Sequence, residues 1–317
     1  MPATPTAPEA DGAVATAVPV AIEPQHDEHL VRAVTEAGGV VVPLAQARVL
    51  VWIGEPADLP PLPDAVEWVA LKTAGIEAFR AAGVIDDRRR WTNASGFYAA
   101  GCAEHALTLL LAGLRQVHTA VLLGWNEEVI PPAVRTLRGA TVAIIGAGGI
   151  GRELTPRLKA CGATVLAVNR SGTPVAGADR TVTSAHLDEI LTAADHVVLA
   201  APATPETHHL INERTLALLK PHSWIVNVAR GPLIDQTALG EALRSGIIAG
   251  AALDVTDPEP PGDDDPLWTL PNLIVTPHIA NPSPDLTREM APWLAENLRR
   301  FQAGEELIST VDPNADY

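Results

Sequence analysis

Cysteine, positive charge and long apolar runs are all scarce in this sequence. Cys102 and Cys161 are its only cysteines in 317 residues. They cannot build a disulfide framework, and they do not form a Cys/His group of the size a metal site needs. Both read as buried, reduced thiols of a cytoplasmic protein, and no metal site is expected. Lys and Arg number 22 against 38 Asp and Glu, a net charge of −16. Such a field repels nucleic acid and anionic membranes, so neither is an expected partner, and an anionic ligand needs a local cationic site. The most apolar run, Ala106 to Leu114, is far short of a membrane span. No basic segment followed by an apolar stretch opens the chain.

What is present is a folding chain, 47% apolar and 19% charged, whose length suits two domains. Residues 1–13 (MPATPTAPEADGA) lack periodicity and read as a tail outside the fold. From Val18, short β-branched runs alternate with helical stretches: VPVAI, a helix over about Asp27 to Ala37, GVVVP, RVLVWI and VEWVAL. That is the rhythm of a parallel sheet with crossover helices. Phe97 to Val117 reads as one long helix, apolar on more than one face, and is the candidate hinge. A second cycle opens with ATVAIIG at Ala140 and runs through ATVLAVN, HVVLAA, SWIVNVA, AGAALDV and LIVTPHI, with the clearest helix over Gly151 to Cys161. Near-continuous apolar strands imply a doubly wound sheet buried on both faces. A last helix, from about Pro284 to Arg300, is expected to return to the first domain.

In TVAIIGAGGIGREL, Gly146, Gly148 and Gly151 stand in GxGxxG register directly after an apolar strand and before a helix. The first glycine makes a tight turn, the second admits a pyrophosphate to the backbone, and the third lets helix and strand pack closely. The helix N-terminus, with Gly149 and Ile150, offers unpaired N–H groups to the phosphates. The next strand ends at Asn169, Arg170 and Ser171, where an NAD site wants a carboxylate for the ribose 2′-hydroxyl. A guanidinium between an amide and a hydroxyl suits a 2′-phosphate instead, so NADP(H) is the expected preference, with NAD(H) still open.

Three downstream segments each place a chemical side chain just past an apolar run: NVARGPLIDQTAL with Arg230, ALDVTDPEP with Glu259, and TPHIA with His278. In an open parallel sheet that is the ligand-binding edge. These segments closely resemble those of the D-isomer-specific 2-hydroxyacid dehydrogenases, the family of glyoxylate/hydroxypyruvate reductase, D-lactate and D-3-phosphoglycerate dehydrogenases. The resemblance runs from about Glu67 to Ala280. It implies a two-domain α/β protein, with a Rossmann dinucleotide-binding domain over 119–281, a flavodoxin-like substrate domain over 14–118 and 282–317, and an active site in the cleft between them.

The family chemistry, carried onto these residues, makes His278 the proton donor, Glu259 its partner on the other ring nitrogen, and Arg230 the cation for the substrate's carboxylate and ketone oxygens. By the same resemblance Pro202, Thr207, Val228, Ala229, Asp254, His278 and Ala280 belong to the cofactor site, with Asp254 meeting the nicotinamide carboxamide. The backbone of Ala74, Gly75 and Ile76 in LKTAGIEAF would meet the substrate carboxylate. Lys72 reads as either a second cation or a solvated lysine. Gly231 is expected to leave room for a ligand beside Arg230, and Glu104 and His105 to serve packing. The implied function is an NAD(P)-dependent reductase of a small 2-keto acid, glyoxylate or hydroxypyruvate, built as a homodimer on the long helix and the segment to about Arg138. A phosphite dehydrogenase of the same fold and a dinucleotide-sensing corepressor remain the alternatives. Glutamine stands at the Glu259 position in the formate dehydrogenases, so the carboxylate here argues against that reaction.

Overall fold

The computed structural model describes residues 17–281 and 286–313. The expected tail over 1–13 and the start of the last helix at Pro284 lie outside the described residues. Contacts divide the chain into two compact units. The first holds residues 17–72, 77–92 and 287–313, and the second holds 73–76, 93–281 and 286.

The first unit opens with β1 (Val18–Glu23), α1 (Glu28–Glu36), β2 (Gly39–Val41), β3 (Val49–Trp52), β4 (Trp68–Leu71), α2 (Glu77–Ala81) and β5 (Arg90–Thr92). Asp27 caps α1 by accepting the N–H groups of His29 and Leu30 at 2.9 and 3.1 Å, which satisfies donors the helix cannot pair internally. The five strands are parallel in the order β2-β1-β3-β4-β5, the flavodoxin-like order. β3 and β4 are buried along their whole length, as continuous apolar runs require.

The second unit begins with α3 (Ala99–Leu114), α4 (Val117–Leu123) and α5 (Ile130–Ala133). The single helix expected over 97–117 is thus two. Gln116 takes a left-handed φ of 56°, which α-helix cannot propagate, and α4 leaves at 55° to α3. Then come β6 (Thr141–Ile145), α6 (Gly149–Ala160), β7 (Thr164–Val168), β8 (Arg180–Val182), α7 (Leu187–Ala193), β9 (His196–Leu199), α8 (Glu213–Leu216), β10 (Trp224–Asn227), α9 (Gln236–Ser245), β11 (Gly250–Leu253) and β12 (Leu273–Val275). These seven strands are all parallel, in the order β12-β11-β10-β9-β6-β7-β8, so the winding reverses at β6. That is the dinucleotide-binding order with one further strand.

Alternate side chains of each strand enter two cores. Ala143, Ile145 and Ile225 face one, and Val142, Ile144 and Trp224 face the other, which α3 closes with Ala103, Ala106, Leu110 and Leu114. Helix α3, placed before the domain boundary in the sequence reading, therefore packs with the second unit. The Trp224 indole explains how closely: a β-carbon on Gly113 of α3 would stand 2.3 Å from that ring. Among the described residues no single helix is long and apolar enough to cross a membrane.

The chain returns to the first unit as α10 (Leu286–Ala303) and β13 (Thr310–Val311), which pairs antiparallel with β5. Phe301 of α10 stacks on Trp68 with ring centroids 5.6 Å apart, and Gln302 donates to the Ala37 carbonyl at 2.9 Å. Strands β5, β8 and β13 have no counterpart in the sequence reading; two or three residues are too few to show an alternation.

Candidate active site

The carboxyl ends of five adjacent strands are level. Ile145 pairs with Leu199, Leu199 with Asn227, Asn227 with Leu253 and Leu253 with Val275. The loops after β6, β9, β10, β11 and β12 therefore leave one edge of the sheet, from its switch point at β6 out to β12.

Each glycine of the first loop meets a distinct surrounding. Gly146 has φ 86°, and a β-carbon there would lie 2.3 Å from the Ala201 backbone, so only glycine makes this turn beside β9. A β-carbon on Gly151 would stand 3.0 Å from Ala147 Cβ and 3.1 Å from Ile144 Cγ2, which marks the close contact of α6 with its strand. At Gly148 the surroundings are open, the nearest atom being the Gly146 carbonyl oxygen at 3.9 Å. Gly148 is also the N-cap of α6 and contributes no side-chain cap. The first-turn N–H groups, from Gly149, Ile150 and Gly151, thus face a space without a competing side chain, which fits a dinucleotide pyrophosphate.

At the end of β7 the Asn169 amide donates to the Thr173 carbonyl at 2.8 Å, and the Ser171 and Thr173 hydroxyls lie 2.7 Å apart. These bonds knit a tight loop from which Arg170 projects, exposed. Beyond β9, Thr207 donates from its hydroxyl to the Pro202 carbonyl at 2.7 Å and accepts the Thr204 N–H at 2.8 Å, closing the 202–207 loop on itself.

Arg230 follows β10 by three residues. The fully buried Asn227 side chain holds the connection: it accepts the Ala229 N–H at 3.0 Å and donates to the Arg230 carbonyl at 2.8 Å. The buried Val228 and Ala229 complete the turn, and Arg230 Nη1 donates to the Ala229 carbonyl at 2.6 Å. Gly231 does not leave the space expected of it. A β-carbon there would fall 1.9 Å from the Thr256 carbonyl oxygen, so the backbone carrying Arg230 lies directly on the backbone leading to Glu259.

Glu259 Oε1 lies 2.5 Å from His278 Nδ1. A carboxylate only accepts, so Nδ1 carries the hydrogen and Nε2 is left for a reaction partner. Both side chains are about half exposed, 50% for His278 and 42% for Glu259. His278 adopts φ 51°, a left-handed conformation that costs a non-glycine residue roughly 1 kcal/mol or more and persists where surrounding contacts over-determine it. Those contacts centre on Asp254, which is 1% exposed. Its carbonyl accepts the His278 N–H at 2.9 Å. Its carboxylate accepts the N–H groups of Ile279 and Ala280 at 2.8 and 2.7 Å and the Thr276 hydroxyl at 2.5 Å. The residue expected at the nicotinamide carboxamide is thus also the anchor of the His278 turn.

Residues 106–280 match the family model described as D-isomer specific 2-hydroxyacid dehydrogenase, NAD binding domain. The chain is 40% identical over 291 residues to an uncharacterized protein in the proB 3′ region of Corynebacterium melassecola, covering 90% of this chain and 95% of that one. It is 38% identical over 223 residues to a glyoxylate reductase of Thermococcus gammatolerans, covering 68% of this chain and 66% of that one. The chain belongs to the D-isomer-specific 2-hydroxyacid dehydrogenases. Members of this family are NAD(P)-dependent oxidoreductases. Among solved structures, a D-isomer-specific 2-hydroxyacid dehydrogenase of Xanthobacter autotrophicus Py2, in complex with NADPH and MES, superposes with a TM-score of 0.81 at 29% identity, covering 95% of this chain and 100% of that one.

Several residues of this dehydrogenase's site escaped the sequence reading. Asn227 ends β10 and Thr276 directly follows β12, and a small polar residue at the end of an apolar run is the signal that could have found them. His105 was read as packing, yet its Nε2 lies 3.1 Å from Thr276 Oγ1 and 3.2 Å from Asp254 Oδ1. Burial pushes the Cys102 thiol up to about 11, with Asp254 adding to the shift and Arg230 opposing it. Cys102 therefore lies near both groups but stays protonated, which removes it as a nucleophile. Cys161, expected to be buried, is only half-buried at the C-cap of α6. Ala74, Gly75 and Ile76 belong by their contacts to the second unit. The Ala74 carbonyl accepts the Asn93 amide at 2.6 Å. Lys72 faces Glu55 at 3.8 Å within the first unit. Among the described residues no group of three or more His, Cys, Asp or Glu side chains could hold a metal.

Proposed function

We propose that the chain reduces a small 2-keto acid of the glyoxylate or hydroxypyruvate class, with NADP(H) preferred over NAD(H). The observation that carries this reading is the Glu259–His278 pair, set on the same sheet edge as Arg230 and the glycine loop. The glycine loop and the first turn of α6 hold the dinucleotide, which supplies a hydride to the carbonyl carbon. Arg230 binds the substrate carboxylate and polarises the ketone through its forked donors, and the backbone of Ala74, Gly75 and Ile76 assists with the carboxylate. His278 donates a proton from Nε2 to the ketone oxygen, while Glu259 fixes the ring through Nδ1. In the oxidation direction His278 takes the proton back as general base. Pro202, Thr207, Val228, Ala229 and Ala280 line the cofactor site.

The cofactor preference rests on the β7 end, where Asn169, Arg170 and Ser171 offer an exposed guanidinium and no carboxylate to the adenosine ribose. The substrate class rests on the Arg230, Glu259 and His278 set and on the thermococcal relative's being a glyoxylate reductase. We also propose a homodimer. α4 and the loop after it expose Val121 at 79%, Leu122 at 72% and Trp125 at 93%, a run of apolar side chains that a second copy would cover. A cytoplasmic location accords with two unpaired thiols.

A panel of small 2-keto acids run with NADPH and with NADH, followed at the nicotinamide absorbance, tests the reading. Turnover of glyoxylate or hydroxypyruvate with a higher kcat/KM for NADPH is expected. An NADH advantage overturns the cofactor assignment. Measurable cofactor binding with no turnover on any keto acid points to the sensing role, and oxidation of phosphite alone points to that dehydrogenase.

A further inference from the structure

Helix α3 supplies more than core packing to the edge that carries His278. His105 meets the strand end just before His278 through Thr276 and Asp254. On the other side of His278, the backbone of α3 passes so near that a β-carbon on Gly101 would stand 3.4 Å from the Ala280 carbonyl oxygen. The turn bearing His278 is therefore gripped on both flanks by one rigid helix.

The hydrogen positions in the upstream grip follow from counting donors. The Thr276 hydroxyl gives its only hydrogen to Asp254 Oδ1 at 2.5 Å. The ring nitrogen of His105 that faces both atoms must then carry a hydrogen itself, because neither has one left to give. The side chain of Asp254 is fully buried and that of His105 is 16% exposed, so this bond forms away from bulk water, where losing it leaves a buried acceptor short of a donor.

We propose that His105 is a positioning residue for His278, holding its strained turn through Thr276 and Asp254 so that Nε2 points at the substrate oxygen. The proposal rests on His278 being the proton donor. Its energetic basis is the steep dependence of proton transfer on placement, where an error of about 1 Å costs on the order of 100-fold in rate.

The test compares His105→Phe and His105→Gln with the wild-type chain, using glyoxylate and NADPH, and follows backbone amide exchange in the protein without ligands. In His105→Phe, kcat should fall roughly 10-fold to 100-fold, with the Kd for NADPH held and exchange at Ile279 and Ala280 accelerated. His105→Gln, which restores an N–H donor at similar reach, should recover most of the rate and the protection. A His105→Phe enzyme within about twofold of wild-type kcat, or a Gln variant no better than the Phe variant, overturns the proposal. If the wild-type chain turns over no keto acid, the functional reading fails on its own. Unchanged exchange at Ile279 and Ala280 in His105→Phe then still refutes the grip, and faster exchange still supports it.

Discussion

Gly231→Ala probes the joint between the two segments that carry Arg230 and Glu259. The alanine β-carbon would stand 1.9 Å from the Thr256 carbonyl oxygen, 2.2 Å from its carbon and 2.8 Å from the Asp257 nitrogen, against an ordinary contact that begins at 3.4 Å. The obstruction is backbone, which cannot rotate aside as a side chain can. About 1.5 Å must open between the two loops, the difference between the required and available distances. A shift of that size moves Arg230 relative to the Glu259–His278 pair, and displacements near 1 Å cost on the order of 100-fold in rate. Overpacking of this kind also destabilises by ~1–3 kcal/mol, which lowers Tm by roughly 2–12 °C for a unit of this size. The assay is kcat/KM for the keto acid alongside a thermal melt and NADPH titration. The expected result is a fall in kcat/KM of about 100-fold with a lowered Tm and far less change in cofactor affinity. An alanine variant that keeps wild-type kcat/KM and Tm would refute the contact and the coupling of the two loops inferred from it.

Other consequences are as direct. Gly148→Ala places a methyl group in the open space before α6, so the Kd for NADPH should rise at least about tenfold in a titration, while Tm falls less than in Gly231→Ala. His196 is buried with its Nδ1 accepting the Trp224 N–H at 3.2 Å, and burial lowers its pKa from 6.5 to about 4. Between those two pH values the unfolded chain binds the proton and the folded chain does not. Stability is therefore complete above 6.5 and lost as pH falls towards 4, by at most ~3 kcal/mol; Tm measured across that window should drop, and His196→Gln should flatten the slope. Trp125→Glu with Leu122→Glu should turn the proposed dimer into a monomer by light scattering, whereas an already monomeric wild-type mass would contradict the dimer.

Much of this architecture was legible because each strand of the second unit is a run buried on both faces, and such runs stand out in a sequence that is otherwise mixed. The glycine loop was legible for a related reason: backbone crowding at Gly146, side-chain crowding at Gly151 and open space at Gly148 leave glycine the fitting residue at each. Arg230, Glu259 and His278 could be picked out because each stands a few residues past a strand end. What stayed hidden depends on distances across the sheet. Gly231 beside Arg230 suggested ligand space, but the neighbouring loop fills it, and no local pattern encodes the approach of Thr256. His105 sits in a helix whose composition speaks only of packing, so its bond to a residue 171 positions later left no trace in the sequence. The bend at Gln116 was equally silent, since glutamine is an ordinary helix former and only tertiary packing forces its left-handed turn.

The central claim is that His278, held by Glu259 and aimed from its strained turn, delivers the proton to the keto oxygen. Steady-state reduction of the best keto acid by His278→Ala, with NADPH affinity measured in parallel, tests it most directly. The account predicts a fall in kcat of about 100-fold to 10,000-fold with cofactor binding retained. Near-full kcat in that variant would contradict it.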